Sequence, residues 1–323
     1  MQKNIAIVMG GYSSELEISL KSGDLVFNSL DASKYTLYKV YILKEKWFVK
    51  HNKQEYQIHK SDFSILIDQQ KIRFDCVFNA IHGDPGENGL LIAYFDLLGI
   101  KHTSAPFYQM ALTFNKRDTL SVVKEYGIKT ARSFYMHQRD NIDTDAIIKK
   151  VGLPCFVKPN RAGSSFGISK VYKEENLRRA IEKACKEDVE ILIESFLDGI
   201  EISVGVIEFR GKLKVLPITE IISENDFFDY EAKYEGKSQE ITPARISGVE
   251  KEKVVKIAIQ VYEVLQMRGF TRSEFIIVNG EPYFIEINSV PGMTKESLLP
   301  QQAKEASISL TDLFDNAIQM ALN

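Results

Sequence analysis

The chain has 323 residues, a formal net charge of -3 and 44% hydrophobic residues. That length supports two or three domains, each with its own core. The near-neutral charge leaves no footprint for nucleic acid, and no apolar run approaches the roughly 20 residues needed to cross a bilayer. Neither a nucleic-acid nor a membrane partner is expected.

Residues 4–9 form a nearly continuous apolar run, as in a parallel strand buried on both faces. They begin too early and end too soon, at Gly10-Gly11, to act as a signal peptide. Leu16, Leu20, Phe27 and Leu30 then recur at helical spacing, with Gly23 on the same stripe. Strands at 36–43 and 74–81 and a helix at 88–98 complete an alternation that predicts a parallel sheet with covering helices. The polar loops Gly10–Glu15 and His82–Asn88 sit at carboxyl ends of strands, where such sheets bind ligands. A second unit holds a helical stretch near 106–126, a strand at 155–159, a Gly/Ser loop at 163–167 and a charged helix near 174–187. A third opens with the strand Glu190–Glu194. It continues with a strand at 200–208, a lid-like polar stretch at about 223–245, and a helix at 250–267 striped by Val254, Ala258, Val261 and Leu265. Two acidic strands follow, around 272–274 and 283–288. The expected domains are 1–104, 105–193 and 194–323. Cys76, Cys155 and Cys185 are isolated and odd in number. They read as buried thiols in a reducing, cytoplasmic setting.

Glu286 and Asn288 are two apart on a strand and therefore share a face; Arg272 and Glu274 repeat the spacing. Two acidic strands side by side suit a hard cation such as Mg²⁺, although either strand alone reads as a solvated edge. In Lys158-Pro159-Asn160-Arg161-Ala162-Gly163-Ser164-Ser165-Phe166-Gly167 a lysine ends a strand before a small-residue loop. Backbone N–H groups of such a loop can approach phosphate oxygens. The order is neither a Walker loop nor a dinucleotide fingerprint, and by itself such a turn is an ordinary connection. His82-Gly83-Asp84-Pro85-Gly86-Glu87-Asn88-Gly89 opens a helix whose N–H groups can hold a carboxylate, or simply reverses the chain. His51, His59, His102 and His137 lack metal-ligand spacing. Glu15, in a helix's first turn, reads as a dipole complement. Tyr230-Glu231-Ala232-Lys233-Tyr234 falls in the lid candidate and could close over a reaction.

Taken together, these segments resemble the D-alanine–D-alanine ligase family of the ATP-grasp superfamily, in order and over essentially the whole chain. The likeness rests on Gly10-Gly11-Tyr12-Ser13-Ser14-Glu15…Ser19, on the His82 and Lys158 segments above, and on Tyr230–Tyr234. It continues through Arg272-Ser273-Glu274-Phe275 and Glu286-Ile287-Asn288…Pro291-Gly292-Met293-Thr294…Ser297-Leu298. The resemblance implies an α/β, partly α+β, three-domain ATP-grasp fold with the nucleotide between the central and C-terminal domains. By the same likeness Lys116, Lys158 and Ser165 would hold phosphates, and Glu194, Phe196, Leu197 and Glu201 would line the adenine and ribose site. Glu274, Glu286 and Asn288 would carry two Mg²⁺ (or Mn²⁺). Glu15 and His82 would orient the first D-alanine, and Glu15, Ser164 and Tyr234 would link lid to substrate, with Lys233 beside them. Arg272 and the Gly292 N–H would stabilise the oxyanion, and Ser297 and Leu298 would receive the second D-alanine. The family also suggests a homodimer. The activity implied is ATP-dependent ligation of two D-alanines through a D-alanyl phosphate, for peptidoglycan precursors.

Two residues depart from the family pattern: Glu274 stands where aspartate is usual, and Asn88 follows Glu87 where aspartate is usual. A ligase making D-alanyl-D-lactate is the nearest alternative, disfavoured by Tyr234. A catalytically silent nucleotide-binding protein is another, disfavoured by the retained charges. The register of the last hairpin gives a structural expectation. A two-residue Asn279-Gly280 turn puts Glu274 opposite Ile285 and turns Glu286 away, so a shared metal site requires an odd loop or a bulge.

Overall fold

The computed structural model describes residues 2–163, 165–223 and 238–323. The first strand, Lys3–Gly10, is buried from Ile5 onward. It runs parallel to Tyr35–Ile42 on one side and Cys76–Asn79 on the other, and Lys101–His102 extends the parallel part. Helix Leu16–Ser29 buries Ile18, Gly23 and Val26 beneath it. The strand ends where Gly10 and Gly11 take φ of +107° and +102°, and a β carbon at Gly10 would lie 2.8 Å from the Ile42 carbonyl oxygen. Only glycine passes here. Beyond Tyr35–Ile42 the sheet turns antiparallel through Trp47–His51 and Gln54–Gln57, so it is mixed rather than parallel throughout. That hairpin turns on Asn52 and Lys53, both at positive φ (49° and 64°), a tight turn without the glycine that usually announces one.

The helical stretch expected at 106–126 is two helices, Phe107–Phe114 and Lys116–Glu125. Asn115 is extended between them and accepts the Asp118 N–H as an N-cap. The second sheet is antiparallel, in the order Ser169–Val171, Cys155–Pro159, Glu190–Ser195, Ser133–His137. The strand expected to open the third unit, at 190–194, instead lies in the middle of this central sheet. Its alternation explains why: Ile191 and Ile193 join Cys155 and Val157 in a core against helices Thr144–Val151 and Leu177–Ala184. Leu192 and Glu194 turn the other way.

The third sheet is antiparallel, in the order Ser238–Ile241, Thr219–Ser223, Ile200–Phe209, Phe270–Val278, Glu281–Asn288, with Lys212–Val215 also on Ile200–Phe209. Helix Gly248–Val264 starts at a Ser247/Glu250 capping box and buries Val254, Ala258 and Val261, as their spacing predicts. Two further helices, Leu298–Glu305 and Leu310–Leu322, close the described chain. The last sets Phe314 edge-on to Phe78 at 5.6 Å, and Asp315 accepts hydrogen bonds from Lys34 and the Tyr35 hydroxyl. Ile5, Ile7 and Met9 of the first sheet therefore share one core with Phe270, Leu299 and Phe314. Among the described residues no helix is long and apolar enough to cross a membrane.

Candidate active site

A cleft with a cavity of about 110 Å³ lies between the central and third sheets. On the central wall, Phe156 and Lys158 alternate with the core residues Cys155 and Val157 and so face the cleft. In the paired strand Glu194 lies opposite Phe156 and shares that face. The Lys158 ammonium sits 2.5 Å from the Glu194 carboxylate, and both groups are almost fully buried. Burial works to lower the Lys158 pKa, but Glu194, then Glu286 and Glu274, outweigh it and hold the ammonium above its ordinary value. The other Glu194 oxygen, Oε1, is buried with no hydrogen-bond partner.

The opposite wall is the hairpin Phe270–Val278 and Glu281–Asn288. Its ladder runs regularly from Val278↔Glu281 to Phe275↔Phe284, then slips so that Glu274 pairs with Glu286 and Arg272 with Asn288. The extra residue is Ile285. The required bulge is therefore present, and both Ile285 and Glu286 line the cleft with Glu274 and Ile276. Arg272 donates to Glu274 at 2.5 Å and to Ser203 at 3.0 Å. Lys116, the first residue of its helix, spans the cleft to Glu286 at 3.2 Å and donates to the Ala162 carbonyl at 2.8 Å. Among the described residues there is no cluster of three or more His, Cys, Asp or Glu that could hold a metal. The donor set is two carboxylates, Glu274 and Glu286, with the Asn288 amide on the same face. These are hard oxygen donors that fit Mg²⁺ when phosphate oxygens complete its shell.

At its inner end the cleft meets the first domain. Glu15 begins helix Leu16–Ser29 but makes no capping hydrogen bond with its side chain. Instead its buried carboxylate lies under the Gly/Ser loop. A β carbon on Gly163 would come within 2.5 Å of it, so the carboxylate would have to shift to admit one. His82 has both ring nitrogens engaged, Nε2 with the Ser22 hydroxyl and Nδ1 with the Val290 carbonyl, each at 2.9 Å. Because a carbonyl only accepts, Nδ1 carries the proton, and Nε2 accepts from Ser22. Burial favours this neutral ring by lowering the His82 pKa, against the pull of Glu15. Ser22 in turn accepts the Met293 N–H at 3.2 Å. Glu87 holds the Gly83 and Val290 N–H groups (3.1 and 3.4 Å). Burial, and then Glu15, push its carboxyl up to about 7. The Val290 peptide is thus gripped on both edges by the first domain, which fixes the turn carrying Gly292. Ser297 accepts the Thr294 N–H at 3.0 Å, and Leu298 opens a helix whose first N–H groups lack intrahelical acceptors.

Of the residues singled out from sequence, Lys116, Lys158, Ser165, Glu194, Leu197, Glu201, Glu274 and Glu286 line this one cleft. Phe196 stands behind it, 6.2 Å from the Phe156 ring and beneath the Lys170 ammonium. Glu15, His82, Arg272, Asn288, Gly292, Ser297 and Leu298 do not line it; Glu15 lies against Gly163 and Arg272 bonds Glu274, both of which do. Ser164, Lys233 and Tyr234, with most of the lid candidate, lie outside the described residues. The sequence reading missed Phe156, Ile276 and Ile285 as walls and Ser22 and Glu87 as supports. Alternation from Lys158 and Glu274 could have found Phe156 and Ile276; Ile285 depends on the bulge.

Two family models match the chain, D-ala D-ala ligase N-terminus over residues 4–105 and D-ala D-ala ligase C-terminus over 121–319. The chain belongs to the D-ala D-ala ligase family. A D-alanine--D-alanine ligase of Flavobacterium johnsoniae is 64% identical over 321 residues, covering 99% of each chain. Among solved structures, the VanG D-Ala:D-Ser ligase of Enterococcus faecalis is 30% identical, with a TM-score of 0.87 over 99% of this chain and 100% of that one. A D-alanine--D-alanine ligase of Bacillus anthracis complexed with ATP is 27% identical, with a TM-score of 0.80 over 99% and 97%. For this ligase family the N-terminal model covers the first sheet and the C-terminal model covers the second and third, with all of the cleft's lining except Lys116 inside the latter.

Proposed function

We propose that the protein is an ATP-dependent ligase that joins two D-alanines into D-alanyl-D-alanine for peptidoglycan precursors. The observation that carries this reading is the convergence of Lys116, Lys158, Glu274 and Glu286, from four separate segments, in one cleft. ATP lies between the sheets, its base between Phe156 and Ile285 near Leu197, where an exocyclic amine answers the partnerless Glu194 oxygen. Lys116, Lys158 and the backbone of Gly163 and Ser165 hold the phosphates, and Glu201 holds the ribose. Glu274, Glu286 and Asn288 would hold Mg²⁺ (or Mn²⁺), which would supply positive charge against the phosphates and the transferring phosphoryl group.

A carboxylate is a poor acyl donor. One oxygen of the first D-alanine, oriented by Glu15, attacks the γ-phosphorus, and ADP leaves. The carbonyl of the resulting D-alanyl phosphate is then open to the second D-alanine, whose carboxylate rests on Ser297 and the Leu298 N–H and whose ammonium gives one proton to solvent so that the free amine attacks. Arg272 and the Gly292 N–H stabilise the oxyanion; phosphate departs and the peptide bond remains. His82 acts here by holding the 290–293 turn in place. An acyl phosphate hydrolyses where water reaches it, so this chemistry requires that water be kept from the cleft.

A homodimer and a cytoplasmic setting complete this reading. The exposed Leu90, Leu97, Phe107 and Tyr108, on the adjacent helices Leu90–Leu97 and Phe107–Phe114, give an apolar surface suited to a second copy. The buried, unpaired Cys76 and Cys155 suit a reducing compartment. The test is stoichiometry. ADP, phosphate and D-alanyl-D-alanine should form one-to-one only when D-alanine is present. ATP hydrolysis without dipeptide, or depsipeptide as the main product with D-lactate present, would overturn the assignment.

A further inference from the structure

One ionisable group on the cleft face of the third sheet has no part in the mechanism above. Glu240 lies on the edge strand Ser238–Ile241, directly after the lid segment. Register carries its face inward: Glu240 pairs with Ile221, Ile221 with Glu201, and Glu201 with Ile276 of the cleft wall. Directly paired residues share a face, so Glu240 lies on the same face as Arg272 and Glu274. Its neighbours belong to the second-substrate end. Glu240 Oε2 accepts from Gln301 at 2.9 Å, and Gln301 sits one turn beyond Ser297. Ile221, across from Glu240, packs on Leu298. Burial raises the Glu240 pKa, while the Gln301 amide and Arg272 favour its anion.

Resting on the ligase reading above, we propose that the Glu240 carboxylate is a specificity determinant for the second substrate, favouring an amino acid over a hydroxy acid of the same shape. The physical basis is net charge. D-Alanine enters as a zwitterion, neutral overall, whereas D-lactate is a net anion. Both offer the same carboxylate to Ser297 and Leu298. A fixed negative charge beside that site therefore penalises the hydroxy acid and leaves the amino acid nearly untouched, or attracted through its ammonium group. The Gln301 hydrogen bond ties the carboxylate to the helix that opens at Leu298.

The test is Glu240→Gln, which keeps the side chain's shape and its hydrogen bond to Gln301, assayed with D-alanine and D-lactate in competition at neutral pH. The ratio of D-alanyl-D-lactate to D-alanyl-D-alanine should rise about tenfold, corresponding to about 1.4 kcal/mol. The KM for ATP and for the first D-alanine should hold, and Glu240→Asp should return the ratio towards that of the parent. An unchanged ratio, or an equal loss of both products with a raised KM for ATP, would reduce Glu240 to a structural role and overturn the proposal. If the parent makes no dipeptide from D-alanine and ATP, the ligase reading itself fails, visibly and before any variant is compared.

Discussion

The two walls of the cleft carry similar side chains on differently built strands. The central wall is an unbroken antiparallel ladder, and simple alternation delivers Phe156, Lys158 and Glu194 to one face. The hairpin wall would fail on alternation alone. Its two-residue turn sets a register that points Glu286 away from Glu274, and one extra residue, Ile285, corrects it. The walls also differ in support. One face of the central sheet packs on a core of its own, while Leu192 on the other face joins the core that holds Phe284 of the third sheet and Val8 of the first; the third sheet shares both of its main cores with the first domain.

The sharpest way to break this comparison is Glu286→Gln on the hairpin wall. It removes one of two facing carboxylates without changing shape, and turnover should fall by about a thousandfold or more; near-normal ADP release would remove Glu286 from the metal site. On the central wall, Lys158→Met should cost in two ways. Phosphate binding should weaken, and the buried Glu194 carboxylate, left without its partner, should lower stability by about 3 kcal/mol. Adding Glu194→Gln should recover most of that stability in urea titrations but not the affinity for ATP, which separates the pair's structural role from its chemical one.

Deleting Ile285 sharpens the contrast further. The ladder would run unbroken with Glu286 still opposite Glu274 and Phe284 still opposite Phe275, so metal-dependent turnover should persist. The KM for ATP should rise by about tenfold, because an apolar wall residue of the cleft is lost. A deletion that abolishes metal dependence would show that the bulge does more than set register.

The smallest effect concerns pH. The Glu87 carboxyl is pushed up to about 7 from an ordinary 4.5. The folded state then binds a proton more tightly than the unfolded state between those values. Its contribution is complete below pH 4.5 and is lost as pH rises to about 7, by about 3 kcal/mol at most. His82, lowered by burial, acts in the opposite sense, losing stability as pH falls below its ordinary 6.5. Glu87→Gln should therefore gain stability relative to the parent as pH rises from 4.5 to 7, measured by urea unfolding. Parallel curves for the two proteins would show that the Glu87 charge carries no such cost.

How far the sequence could be read follows the same division. The apolar run at 4–9 and the stripe of Val254, Ala258 and Val261 were legible because one period governs each, and the Lys158 loop because small residues follow a lysine at a strand end. The antiparallel edge at Trp47–Gln57 was not, since Asn52-Lys53 supplies left-handed turn geometry without glycine. Strand Glu190–Ser195 was visible but its partners were not, because pairing across non-adjacent segments leaves no local mark. The likeness to a known family supplied Glu15 and Arg272 as functional residues. Spacing alone read Glu15 as a helix-end charge, and its burial under Gly163 is a tertiary fact. The grip of His82 and Glu87 on the Val290 peptide joins segments about 200 residues apart and had no signal in sequence.

The central claim is that a D-alanine carboxylate oxygen attacks the γ-phosphate in this cleft. The direct measurement is a single reaction with D-alanine labelled with ¹⁸O in its carboxylate, followed by mass analysis of the released phosphate. The account predicts one labelled oxygen in phosphate for each dipeptide formed, with ADP as the nucleotide product. Unlabelled phosphate, or AMP with pyrophosphate, would contradict it.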